Sequence, residues 1–212
     1  MLRVVTKVIA FHSFRRGTGK SSLVANLAIV IAASGKKVGV IDAGLQAPTL
    51  HFLFGLAEED ITHSFNDYLA GKCQLRQAAR DVTPLSATKV GGGIWLVPSV
   101  AVNPASYPRP HTAYEVDRLD ADLRQLATEH DLDVVLIDSR SGVNDETLLA
   151  FALADGVAIV LRLDKQDYQG TAVALDVARS LSVPRVVLVV NPTPAAYDAN
   201  EVRAEVEKIY QC

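Results

Sequence analysis

Six apolar, β-type runs recur along the chain, at Val4–Phe11, Lys37–Ile41, Ile94–Val97, Val134–Ile137, Val157–Leu161 and Val186–Val190. Their near-continuous hydrophobicity is that of strands covered on both faces. Helix-type stretches alternate with them, at Ser21–Ser34, Ala113–His130, Asn144–Ala154, Gln169–Leu181 and Asn200–Tyr210, and Gly35 is placed to stop the first. This order predicts an α/β fold: a doubly wound, mostly parallel sheet with helices on both faces. Ligands of such sheets bind beyond the carboxyl ends of the strands.

The segment between the first strand and the first helix, Phe11-His12-Ser13-Phe14-Arg15-Arg16-Gly17-Thr18-Gly19-Lys20-Ser21-Ser22, has the chemistry of a phosphate-cradling loop. Glycines let successive backbone N–H groups turn toward phosphate oxygens, and the helix N-terminus adds partial positive charge. Lys20 supplies a point charge and Ser21 a hydroxyl for Mg²⁺. Gly17, Thr18, Gly19, Lys20, Ser21 and Ser22 are therefore the expected contacts to a nucleoside triphosphate. The strict Walker A pattern is broken at Phe14, where it has glycine.

Two further strand ends carry carboxylates. Val134–Ile137 runs into Asp138, the Walker B arrangement, which places negative charge where hydrated Mg²⁺ bridges phosphates. Lys37–Ile41 runs into Asp42, a second carboxylate for the metal's water shell, followed by a loop with Gln46 and Pro48 near the terminal phosphate. The expected metal set is Ser21, Asp42 and Asp138.

Composition narrows the class. At 212 residues, 49% hydrophobic and 21% charged, the chain can bury one large core. A net charge of −3 gives no global basic field, so charge leaves nucleic acid undecided as a partner. Cys73 and Cys212 lie far apart with no metal-ligand spacing, the five histidines are scattered, and no stretch reaches membrane-spanning length. A cytoplasmic protein without an evident membrane segment is expected. Asn103–Thr112, with prolines at 104, 108 and 110, reads as an irregular surface loop.

Three segments together resemble the deviant Walker A ATPases of the MinD/ParA family. The family's Lys-Gly-Gly-x-Gly-Lys-(Ser/Thr) stands here as Arg15-Arg16-Gly17-Thr18-Gly19-Lys20-Ser21, its Asp-x-Asp as Asp42-Ala43-Gly44, and its Asp-(Ser/Thr)-x-x-Gly as Asp138-Ser139-Arg140-Ser141-Gly142. Asp164–Thr171, read as a loop leading into a helix beside the nucleotide, is similar to the MinD-like subgroup. The resemblance implies an ATP/ADP- and Mg²⁺-dependent homodimer in which Arg15 takes the place of the lysine that reaches the partner's phosphates. Lys20, Arg15 and Asp42 are then the catalytic residues, and Asn191 matches the asparagine that contacts adenine. Against the full-length pattern, 1–212 reads as a single P-loop nucleotide-binding domain lacking a C-terminal strand and helix.

Gly44 stands where the family has a second aspartate that positions the hydrolytic water, so slow turnover is expected. The function implied is an ATPase switch that positions or regulates a cellular cargo, with an unidentified cargo or activator protein. The alternatives are a degenerate nucleotide-binding scaffold without turnover, and a P-loop small-molecule kinase or ligase.

Overall fold

A computed structural model describes residues 6–101 and 113–211. The Asn103–Thr112 loop and its His111, Cys212, and the first two residues of the expected Val4–Phe11 strand lie outside them. Strands β1 (Lys7–His12), β2 (Lys37–Ala43), β3 (Arg80–Asp81), β4 (Gly93–Val97), β5 (Val134–Ser139), β6 (Gly156–Leu161) and β7 (Val186–Val190) form one sheet in the order β3-β4-β2-β5-β1-β6-β7. Every pairing is parallel except β3 with β4.

The strands alternate side chains between two cores, as the period of two requires. Ile41, Val135, Ile137, Val157 and Ile159 face one; Val38, Val40, Leu136 and Ala158 face the other. The second core is closed by α1 (Lys20–Ala33), whose Ala25, Ala28 and Ala32 are buried small residues that let the helix lie close to the sheet. The first is closed by α6 (Ala113–Glu129), α7 (Asp145–Leu153), α8 (Lys165–Ser180) and α9 (Ala199–Tyr210). Both faces are therefore covered along the central strands, but not along the edge strand β7, where no residue is fully buried and Val187 is 59% exposed, against the expectation from its unbroken apolar run.

Between β2 and β4 the chain makes four short helices: α2 (Leu50–Leu53), α3 (Phe65–Leu69), α4 (Leu75–Ala78) and α5 (Leu85–Thr88). None of these, nor the two-residue β3, has enough residues to show a period in the sequence. The helix expected from Gln169 begins four residues earlier, at Lys165, because Asp164 caps it by accepting from the N–H groups of Gln166 and Asp167 at 3.0 and 2.9 Å. Most of the segment read as a loop is thus the first turns of α8.

β1 lies between β5 and β6, so the chain leaves it in one direction toward β2 and returns on the other side to β6. That reversal puts a crevice at the carboxyl end of β1. No described helix is long and apolar enough to cross a membrane.

Candidate nucleotide site

β1 ends at His12, and the chain turns through Ser13–Gly19 before α1 begins at Lys20. Gly17 and Gly19 take φ of 78° and 79°, the left-handed region that a Cβ disfavours. Gly19 is the N-cap of α1, offers no side-chain cap, and is followed by a first turn without acidic residues. The α1 N-terminus therefore keeps orphan N–H donors and partial positive charge facing the crevice. A Cβ at Gly17 would meet open space, whereas one at Gly19 would overlap the side-chain amide of Asn191. That amide donates to the Thr18 carbonyl at 2.7 Å.

The loop is sewn to its surroundings at its other end. Phe14 packs directly on Gly170 of α8, where a Cβ would overlap the ring. The Gly142 N–H donates to the Ser13 carbonyl at 3.0 Å, and the Ser13 hydroxyl donates to the Arg15 carbonyl at 2.9 Å and stands 3.1 Å from the Ser141 hydroxyl. The loops after β1 and β5 thus form one braced rim.

Register sets the charges. Asp42 on β2 pairs directly with Asp138 on β5, so the two carboxylates share a level and a face. The Lys20 ammonium, buried with its partner, donates to Asp138 Oδ1. Asp42 accepts through Oδ1 from the Gly44 N–H at 3.0 Å and through Oδ2 from the N–H groups of Thr49 and Leu50 at 3.2 and 3.1 Å. Burial, and after it the negative charge of Asp138, push the Asp42 carboxyl up to about 7, against the opposing pull of the Leu50 and Gly44 N–H groups and of Lys20. Both carboxylates are almost wholly buried, at 1% and 2% exposure. Beneath them His12 is fully buried, with Nδ1 3.2 Å from the Ser139 hydroxyl and its ring edge-on to Phe151. Burial, then the Lys20 charge, press its pKa down to about 3, so the imidazole is neutral.

These groups surround a cavity of about 280 Å³ lined by Gly17, Thr18, Gly19, Lys20, Ser21, Ser22, Asp42 and Asp138, with Gly44 and Gln46 on the loop after β2. A phosphate chain fits this donor set: uncapped helix N–H groups, an ammonium, and open space beside Gly17. A divalent cation fits the Ser21 hydroxyl with the Asp42 and Asp138 carboxylates. Asp42 already accepts three backbone donors, a hold suited to orienting a metal's waters rather than replacing them. Among the described residues no three His, Cys, Asp or Glu groups stand together as a metal cage, so phosphate and water oxygens would complete the shell.

Two of the expected site residues, Arg15 and Asn191, do not line this cavity. The Arg15 guanidinium turns from the cavity toward the α8 N-terminus, where Nη1 meets both Asp164 oxygens at 3.1 and 3.3 Å and Nε stands 3.8 Å from Asp167. Asn191 reaches the back of the phosphate loop through Thr18. Conversely, the cavity wall includes Thr49, Ser139 and Arg140, which the sequence reading did not assign. Ser139 and Arg140 were findable in principle, since they follow Asp138 directly.

The family model described as "AAA domain" matches residues 6–182. An uncharacterized ATP-binding protein of Methanocaldococcus jannaschii is 28% identical over 90% of this chain, and the chain spans 66% of that relative's length, just under two thirds. Among solved structures, the septum site-determining protein MinD of Pyrococcus horikoshii, complexed with Mg-ADP, superposes with a TM-score of 0.75 at 18% identity, over 96% of this chain and 77% of its own. Cobyrinic acid a,c-diamide synthase of Mycobacterium smegmatis gives 0.78 at 20% identity, over 97% and 82%.

Proposed function

Because the chain belongs to the AAA-domain family of MinD/ParA-like P-loop ATPases, we propose that it binds ATP with Mg²⁺, dimerises in the triphosphate state, and hydrolyses ATP slowly as the switch that positions or regulates a cargo. The observation that carries this reading is the buried Lys20–Asp138–Asp42 cluster beneath an uncapped helix N-terminus.

Bound ATP would supply the scissile phosphoryl group, and Mg²⁺ the charge that draws electrons toward its oxygens. The chain's own parts divide the remaining work. Lys20, now held by Asp138, is the donor released to the phosphates. Ser21, Asp42 and Asp138 would hold the cation and its waters. Asp42, whose carboxyl is raised to about 7 by burial and then by Asp138, would hold the cation's waters in its charged form. Gly44 adds no carboxylate to orient a water, so turnover would be slow. Arg15, permanently charged, would turn from Asp164 to the phosphate oxygens of the partner's nucleotide in a dimer.

Light scattering or sedimentation with Mg-ADP and with a non-hydrolysable ATP analogue tests the switch. A dimer in the analogue alone is expected; identical monomers in both at high protein concentration rule the switch out.

A further inference from the structure

Three arginines stand around the phosphate loop, and the structure treats them differently. Arg15 is engaged through two hydrogen bonds outside the cavity, and Arg16 lies exposed at its lip. Arg140 stands on the loop after β5, two residues beyond Asp138, and is, with Arg16, one of the two arginines that line the cavity.

The backbone that carries Arg140 is braced while its head is not. Its carbonyl accepts from the hydroxyls of Thr147 at 3.3 Å and Ser139 at 3.4 Å. The neighbouring Gly142 N–H and Ser141 hydroxyl tie the same loop to Ser13. The guanidinium makes no hydrogen bond to any described residue. Its nearest charge is Glu146 on α7, with Nη1 3.8 Å from Oε1, a coulombic contact beyond hydrogen-bond reach. A permanently charged fork with no hydrogen-bond partner among the described residues thus belongs to a residue that lines a cavity whose ammonium is already paired with Asp138.

We propose that Arg140 contacts the terminal phosphoryl group of a bound nucleoside triphosphate from within the same chain, and that Glu146 draws the guanidinium aside when only a diphosphate is present. This rests on the nucleotide reading above and adds a source of charge stabilisation independent of any partner subunit. A planar guanidinium suits that task because it places two parallel donors on two phosphate oxygens and strengthens as negative charge develops there. It also supplies the loop after β5 with a reason to respond to the third phosphate.

Calorimetry on the full chain tests it with three probes: Mg-ADP, Mg with a non-hydrolysable ATP analogue, and Mg-ADP with aluminium fluoride. Arg140→Gln is expected to weaken the second and third by roughly tenfold to a hundredfold, the value of a charge-assisted hydrogen bond, and to leave Mg-ADP within about twofold. Glu146→Gln is expected to tighten the analogue relative to Mg-ADP, and it keeps the proposal testable should the arginine variant fold poorly. Equal losses for all three probes in Arg140→Gln, or unchanged discrimination in both variants, overturns the proposal. A wild-type chain that binds none of the probes overturns the nucleotide reading itself.

Discussion

Phe14 occupies the place of a Walker A glycine, and it is accommodated by a second glycine 156 positions along the chain: the ring lies on the backbone of Gly170 in α8, closely enough to exclude a Cβ there. The contact joins the start of the phosphate loop to the helix that also holds Arg15 through Asp164. A departure from the motif thus becomes a tether between two elements of the site.

Gly170→Ala should destabilise the protein by about 1–3 kcal/mol, since the added methyl forces the Phe14 ring aside in a filled site. Adding Phe14→Leu should recover part of the loss by shortening the intruding side chain. Chemical denaturation of the single and double variants reads the coupling; strictly additive effects would mean the two residues do not meet.

Lys20→Ala should lower apo stability by about 3–5 kcal/mol, because it leaves Asp138 buried without its counter-charge. It should also abolish detectable triphosphate binding. The double variant Lys20→Ala with Asp138→Ala should melt higher than Lys20→Ala alone and still fail to bind. Melting curves and titration calorimetry separate the two effects, and normal ATP affinity in Lys20→Ala would remove the loop assignment.

Asp164→Asn should favour the triphosphate dimer. Asparagine still caps α8, yet the carboxylate that takes both hydrogen bonds from Arg15 is gone, leaving Asp167 at 3.8 Å as its remaining partner. Arg15→Ala should lose the dimer in the ATP analogue while keeping Mg-ADP affinity. Sedimentation velocity across a concentration series is the measurement, and an analogue-dependent dimer undiminished in Arg15→Ala would refute the trans role.

Gly44→Asp should raise single-turnover ATP hydrolysis about tenfold, about 1.4 kcal/mol of barrier. No positive φ restricts Gly44, and a Cβ there would stand 3.1 Å from Asp42 Oδ1, so Asp42 must give by a few tenths of an ångström. Dimer population must be followed alongside the rate. Wild-type turnover already as fast as the variant's would show that Gly44 is no defect and that another group, such as Gln46 or Asp42, positions the water.

Two buried groups oppose each other in their pH dependence. Asp42, raised from 3.8 to about 7, keeps its proton in the folded state across that interval, so its contribution to apo stability falls as pH rises from about 4 to 7. His12, lowered from 6.5 to about 3, stays neutral when folded, so its contribution is lost as pH falls below 6.5. Relative to wild type, Asp42→Asn should therefore be most favourable near pH 8 and lose ground steadily toward pH 5. Thermal melts of the two proteins across that range check the sign; a constant difference would mean Asp42 titrates as an ordinary carboxylate.

Much of this was legible in the linear chain. Strands buried on both faces must be apolar at every position, so β1, β2, β4, β5 and β6 announced themselves together with the parallel sheet; β7 reads the same way, yet it lies at the sheet edge with Val187 exposed. The loop from Ser13 to Gly19 is local backbone geometry, written in consecutive residues, and Asp42 and Asp138 stand one residue before the ends of β2 and β5. What only the tertiary structure decided depends on groups far apart in sequence. The partner of Arg15 lies 149 residues away, and that of the Asn191 amide 173. Asp42 owes its raised carboxyl to burial and to a neighbour brought beside it by strand pairing. The short helices α2 to α5 are held by packing rather than by any period. Arg140 acquires its place in the cavity wall because the loops after β1 and β5 are bonded to each other, a relation no single stretch of sequence contains.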